Sequence, residues 1–260
     1  MKNKKLAICL IVLSFLAVVV ILSSAIFALS SVELVFLTTT NNLEGKNEEI
    51  VESADFKMGS NVLFLRKKSY IENMEKNFPY LKVVNIETKF PNKLVINCVE
   101  RMEVFAINLG DGNYAICDEE FKVLKKTTQF INSSNNAILL QGVKDIKSSQ
   151  VGYELDFNGN QKSLLKQSFN SMREWDLSYN NLLAKIESMT IDYSGTSGDI
   201  NLKMRSGSQI LIVNANQYNS DKFNYAFSCY DSDVKYQNAG LIEVRLTNEG
   251  IEIFYRESTE

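Results

Sequence analysis

Asp118, Glu119 and Glu120 are three consecutive acids, a group that in principle could hold a cation or act as a carboxylate pair. A calcium site wants six or more oxygens converging from a shaped loop, and glycoside hydrolysis wants two carboxyls at a set separation across a cleft. Neighbouring residues on a strand or turn point in different directions, so these acids are expected to form a solvated turn. The chain has no histidine, which excludes Ser-His-Asp and Cys-His catalysis and zinc sites of the histidine-containing types. A carboxylate-pair hydrolase or a Ser-Lys enzyme stays open on these grounds. No glycine-rich phosphate loop is present, and no cofactor, metal, small-molecule substrate or nucleic acid is implied. Cys9 falls in an apolar segment, and Cys98, Cys117 and Cys229 are odd in number and widely spaced. They fit neither a disulfide framework nor a metal site and read as buried or incidental thiols, with a Cys98–Cys117 bridge as the lesser alternative. What remains is a surface function.

The elements that would carry such a surface begin with residues 6–29, an uncharged run of 24 residues. As a helix it is about 36 Å long, enough to cross a bilayer with some tilt. Lys2, Lys4 and Lys5 precede it, and the first charge after it is Glu33. The positive-inside rule then gives a single-pass protein of the cell membrane with residues 1–5 in the cytoplasm and the bulk of the chain outside. The competing reading is a cleaved signal peptide, for which Ser23, Ser24, Ala25 and Ala28 supply small residues. With 28 basic and 31 acidic residues the net charge is −3, and the outside part, lacking those lysines, is more acidic still. A basic groove for nucleic acid is not expected.

Beyond the apolar run, "VELVFLTTT" reads as a strand and "EEIVESA" as a short helix with Asn47 as its N-cap. A second helix is predicted from Ser69 and Glu72, which have capping-box spacing, with Ile71, Met74 and Phe78 on its apolar face. The only two prolines follow closely: Pro79 stops this helix, and Pro91 opens a turn between two strands, "YLKVVNIETKF" and "LVINCVERMEVFAI". On the first, Val83 or Val84 joins Leu81 and Ile86; on the second, Leu94, Ile96 and Cys98 share a face. Residues 162–189 are predicted as a long amphipathic helix, broken near Asn180 and Asn181, with Trp175 in its core stripe. Strands return in "SMTIDYS", "GDINLKMR" and "SQILIVN". A helix capped by Ser220 follows, and then a two-strand ending, "GLIEVRLTNEGIEIFY", around an Asn-Glu-Gly turn.

The order strand, helix, helix, strand, strand, together with "EEIVESADFKMGSNVLFL" and "FPYLKVVNIETKFPNKLVINCVER", resembles the polypeptide-transport-associated (POTRA) domain of the FtsQ/DivIB cell-division family. Pro79, Val83, Pro91, Leu94, Ile96, Glu100 and Arg101 take the family's positions, and Cys98 takes one usually held by valine. The chain departs from the family in lacking a glycine just after the first strand and a proline after Glu100-Arg101. The resemblance implies an α+β chain: a tail (1–5), a transmembrane helix (6–29), a POTRA domain (30–103), a mixed β domain with a long helix on its sheet (104–255), and a polar tail (256–260). It implies a non-enzymatic divisome scaffold that binds FtsB/DivIC-like and FtsL-like proteins outside the membrane, meets other divisome components through the POTRA domain, and helps regulate septal wall synthesis. The alternatives are a POTRA-containing polypeptide assembly or translocation factor and an anchored wall hydrolase.

In the family, an arginine within an apolar-acid-apolar-Arg strand and the last two strands form the docking site for the coiled-coil partner. Here Ile242, Glu243, Val244 and Arg245 match that strand, and Leu246 and Tyr255 complete the candidate partner-binding set. From the residues alone, a surface ion pair of Arg245 with Glu243 or Glu252 across the hairpin is the favoured reading, and the resemblance reverses that preference.

Overall fold

Pro79 and Pro91 punctuate the first part of the chain as their chemistry requires, the one following a helix end and the other at a hairpin tip. The structure, a computed structural model, describes residues 2–39, 41–130, 137–195 and 197–257, with side chains from residue 10 onward apart from 23. The chain divides into two compact units, Met1–Arg101 and Met102–Glu260.

In the first unit, helix α1 (Lys2–Ile26) is followed by strand β1 (Ser31–Phe36), helix α2 (Asn47–Ser53), a 3₁₀ turn (Val62–Phe64), helix α3 (Lys67–Asn77) and the hairpin β2 (Leu81–Lys89) and β3 (Lys93–Glu100). The sheet order is β1-β3-β2, with β1 parallel and β2 antiparallel to β3. After α1 this is the strand-helix-helix-strand-strand order that the resemblance implies. Leu94, Ile96 and Cys98 on β3 are fully buried under Ile50, Ala54 and Met74 of the helices. Burying alternate residues on a pleated strand is what fixes this register. A bulge between Val83 and Asn85 turns Val84 out to solvent, so Val83 is the residue that joins the core.

Both predicted caps in this unit are corrected. Helix α2 starts at Asn47 itself, after Lys46, with no side-chain cap. Helix α3 starts at Lys67, so Ser69 is already inside it and its hydroxyl donates back to the Arg66 carbonyl. The missing glycine after β1 also finds its explanation: the amides of Asn41 and Asn42 donate to the Glu100 carboxylate at 2.7 and 3.0 Å, which holds the turn. The strand expected to reach Thr40 ends at Phe36.

A membrane crossing is predicted for residues 6–29. Among the described residues no helix is long and apolar enough to cross a membrane, and the side chains of residues 6–9 and 23 lie outside them. Helix α1 ends at Ile26, short of the predicted limit. Every described side chain from Leu10 to Leu22 is exposed.

In the second unit, β4 (Phe105–Gly110), β5 (Asn113–Cys117), β6 (Val123–Thr127) and β7 (Ile138–Gln141) precede helices α4 (Gly159–Trp175) and α5 (Tyr179–Lys185). Then come β8 (Ile186–Ser194), β9 (Ser197–Met204), β10 (Gln209–Ile212), α6 (Asn219–Ser232), α7 (Val234–Gln237), β11 (Gly240–Thr247) and β12 (Gly250–Glu257). All nine strands form one sheet in the order β12-β11-β10-β9-β8-β7-β4-β5-β6. Leu165, Phe169 and Met172 of α4 and Phe223 and Phe227 of α6 share a single core with the sheet.

The long helix read at residues 162–189 is two helices and the start of a strand. Its break falls at residues 176–178, where the Asp176 carboxylate accepts the Ser178 amide and Ser178 caps α5. Ile186 and Met189 face the core from β8. Their i, i+3 spacing suits a helix stripe, but a bulge between Ile186 and Ser188 brings both onto the same face of the strand. Trp175 stacks on Phe227 with ring centroids 3.9 Å apart while its Nε1–H donates to Asp231 at 2.7 Å. Ser220 does not cap α6, which starts at Asn219 after Tyr218; its hydroxyl donates to Glu174 instead. Cys98, Cys117 and Cys229 are free, and Cys98 and Cys117 belong to different sheets.

Candidate functional site: the terminal hairpin

The hairpin β11–β12 turns through Asn248 and Glu249. The Thr247 hydroxyl accepts the Glu249 amide and donates to the Gly250 carbonyl, and Gly250 has φ +121°, a conformation suited to glycine. At the open end, a Cβ on Gly240 would stand 2.7 Å from the Tyr255 hydroxyl, so only glycine leaves room for that ring. Tyr255 is held by an edge-to-face contact with Tyr236 and donates to the Lys235 carbonyl at 3.1 Å. A hydrogen bond with Tyr236 holds the Lys235 ammonium above the ordinary lysine range.

Strand β11 lies between β10 and β12, and β12 ends the sheet order. One side of the β12 backbone therefore has no strand beside it among the described residues, which is the arrangement that accepts an added strand.

Alternation divides the six candidate residues between two faces. Ile242 and Val244 are fully buried in the core, so their side chains are not available to a partner. This corrects their place in the candidate set: they anchor the strand. Leu246 on the same face, next to the turn, is 42% exposed, and Tyr255, opposite Ile242, packs on the core's rim.

Glu243 and Arg245 are on the other face, opposite Phe254 and Glu252. The Arg245 guanidinium lies 4.1 Å from the Phe254 ring centroid and 3.6 Å from Glu243 Oε1, and 46% of its side chain is exposed. Arg256 donates to Glu243 Oε2 at 2.7 Å. The ion pair expected from the residues alone is thus present, with Glu243 as its acid, and the carboxylate is shared by two arginines. Their exposed guanidinium edges, beside Phe254, leave donors for a further carboxylate.

Phe254 and Arg256 are parts of this surface that the sequence reading omitted. A two-residue turn fixes the register of the strands around it, so counting outward from Asn248 and Glu249 would have placed Phe254 opposite Glu243.

The acids at 118–120 are not a solvated turn throughout. Asp118 is buried and its Oδ1 accepts the amides of Glu120 and Lys122 at 3.0 and 2.8 Å, shaping the turn before β6. Glu119 accepts a hydrogen bond from Tyr179, whose phenol is pushed up first by burial and then by that carboxylate. Among the described residues no group of three or more histidines, cysteines or acids is placed to hold a metal.

The family model for the POTRA domain, FtsQ-type, matches residues 38–101. The chain is 34% identical over 130 residues to cell division protein DivIB of Clostridium acetobutylicum, over 48% of this chain and 50% of that protein. It is 32% identical over 152 residues to cell division protein DivIB of Clostridium botulinum, over 58% and 56%. To the protein of that name from Clostridium tetani it is 28% identical over 189 residues, 72% and 66%. The chain thus spans about half the length of the first two of these relatives. The FtsQ-type POTRA match and the similarity to several proteins named DivIB thus support the resemblance of this chain to the FtsQ/DivIB cell-division family.

Proposed function

We propose that the protein is a non-enzymatic, bitopic scaffold of the bacterial divisome. It holds FtsB/DivIC-like and FtsL-like partners outside the membrane, meets other division proteins through its POTRA domain, and so helps regulate septal wall synthesis. The observation that carries this reading is the free edge of β12, flanked by the Arg245, Phe254 and Arg256 side chains. Main-chain bonds from an added strand supply affinity, and the arginines select an acidic partner. The division role is further supported by the relatives named DivIB.

Anchoring rests on α1. From Leu10 to Leu22 its described side chains are apolar save Ser14 and exposed around the whole circumference, the pattern of a helix that needs lipid on all sides. The lysines in its first turn, Lys2, Lys4 and Lys5, favour a cytoplasmic N-terminus and place the rest of the chain outside.

Binding of the full chain, in detergent, to the extracytoplasmic part of an FtsB/DivIC-like partner tests the site. The wild type should bind saturably. Losing a charge-assisted contact worth ~1.5–3 kcal/mol, Arg245→Glu should bind roughly 10- to 100-fold more weakly with unchanged near-UV circular dichroism. Undiminished affinity in the folded variant would remove Arg245 from the site, and absence of wild-type binding would remove the scaffold reading.

A further inference from the structure

The end of α1 is not joined to the rest of the first unit by a free linker. The Val62 amide donates to the Phe27 carbonyl at 2.9 Å, the Leu29 amide to Ser60 at 2.8 Å, and the Gly59 amide to Leu29 at 2.9 Å. On another side, the Ser30 amide donates to Asn92 at 2.9 Å, and the Phe27 and Phe90 rings meet edge to face at 6.1 Å. The loop of residues 57–66 and the tip of the β2–β3 hairpin are therefore fastened to the residues immediately following the helix.

These two segments carry large apolar side chains that are half or more exposed. Phe64 is 82% exposed, Phe90 69%, Met58 58% and Leu63 50%. Each is within two residues of a bond to Phe27–Ser30, or touches Phe27 directly. Exposed Lys57 and Arg66 bracket the loop. Soluble surfaces seldom gather this much apolar area, whereas apolar and aromatic groups with flanking cations are the composition of a segment at a lipid–water boundary.

We infer that residues 57–66 and the Phe90 hairpin tip form a collar that sits on the outer lipid surface, with Met58, Leu63, Phe64 and Phe90 among the headgroups and Lys57 and Arg66 against lipid phosphates. The inference rests on the reading that α1 crosses the bilayer. It adds that the POTRA domain is docked on the membrane in a fixed orientation and does not swing above it. The hydrogen-bonded splice supplies the rigidity, and the apolar collar supplies the contact.

Depth-dependent quenching in vesicles of phosphatidylcholine and phosphatidylglycerol tests both ideas separately. The full chain has one tryptophan, Trp175, whose emission is the baseline. Phe64→Trp should add emission that is blue-shifted and mostly lost with lipids brominated near the headgroup, and much less so with lipids brominated near the chain end. Phe90→Trp should repeat the result. Leu16→Trp should show the reverse depth preference. If the Leu16→Trp emission is quenched by the deep label while both collar variants emit as in water, the anchor stands and the collar is overturned. If none of the three is quenched, the anchor itself falls and the collar with it.

Discussion

In the first unit a buried charged pair fastens a helix to its sheet, whereas in the second the buried links between α4 and α6 are neutral groups. Arg101 is buried, with Nη2 donating to Glu75 Oε2 at 2.9 Å and Nε to the Leu81 carbonyl at 3.1 Å, while Glu75 Oε1 accepts the Val83 amide. Between α4 and α6, Ser171 donates to Asn219 Oδ1 at 2.8 Å, and Asn219 Nδ2 donates to Ser168 and to the Ala215 carbonyl, both at 2.9 Å. Lys222 nearby is buried as well, but its ammonium caps the Val213 and Asn214 carbonyls, and burial lowers its pKa. The small unit therefore concentrates its buried polar stakes on one pair of opposite charges, and the large one spreads those between its helices over dipoles.

That contrast can be broken most strongly at Arg101. Removing one partner of a buried ion pair strands the other, at a cost of ~3–5 kcal/mol. Arg101→Ala should therefore collapse hydrogen-exchange protection in residues 41–101 while leaving protection in β8–β11 intact. Equal loss in both units would show that they do not unfold separately.

A smaller effect is expected at Asn219. Asn219→Ala leaves two hydroxyls and a carbonyl short of partners, costing about 1–3 kcal/mol. Protection should fall in α4 and α6 and stay level in the first unit. A change below the error of the measurement would mean that water satisfies the groups.

The smallest effect, and the sharpest comparison, concerns the two buried thiols. Burial pushes Cys98 up to about 12, and pushes Cys117 up further with help from the Asp118 carboxylate. A raised acid keeps its proton longer in the folded chain than in the unfolded one. Its stabilisation is complete below the ordinary thiol value of 9.0 and is lost as pH climbs from there towards 12. Cys98→Val should cost less than ~1.5 kcal/mol at neutral pH. It should also flatten the alkaline loss of stability in the first unit and leave that of the second unchanged. An identical alkaline slope in variant and wild type would rule out Cys98 as its source.

The first unit was the more legible in sequence because its signals are local. Alternation on β3 and the two prolines fix strand, helix end and turn without reference to anything distant. Caps were less legible: Ser69 and Ser220 look like helix starts, yet each helix begins earlier and their hydroxyls find other acceptors. In the second unit, Ile186 and Met189 satisfy helix spacing and strand burial at once, and only the sheet around β8 decides between them. For the terminal hairpin the edge strand and the ion pair of Arg245 with Glu243 were readable. What the sequence reading did not separate was buried from exposed side chains, because Ile242 and Val244 are named by the same motif that names Arg245.

Strand β7 has a mechanical consequence. Only three residue pairs join it to β4, from Phe105↔Ile138 to Ile107↔Leu140, and three join it to β8, from Leu139↔Ser188 to Gln141↔Thr190. Both pairings are parallel, whereas β11 and β12 are joined by eight antiparallel pairs. Tension applied at the β12 edge and resisted at β4 must cross this seam, where the ladder is shortest. Under load the sheet should part at β7 before the terminal hairpin strips away, so the weak joint lies inside the protein and the grip at its edge outlasts it.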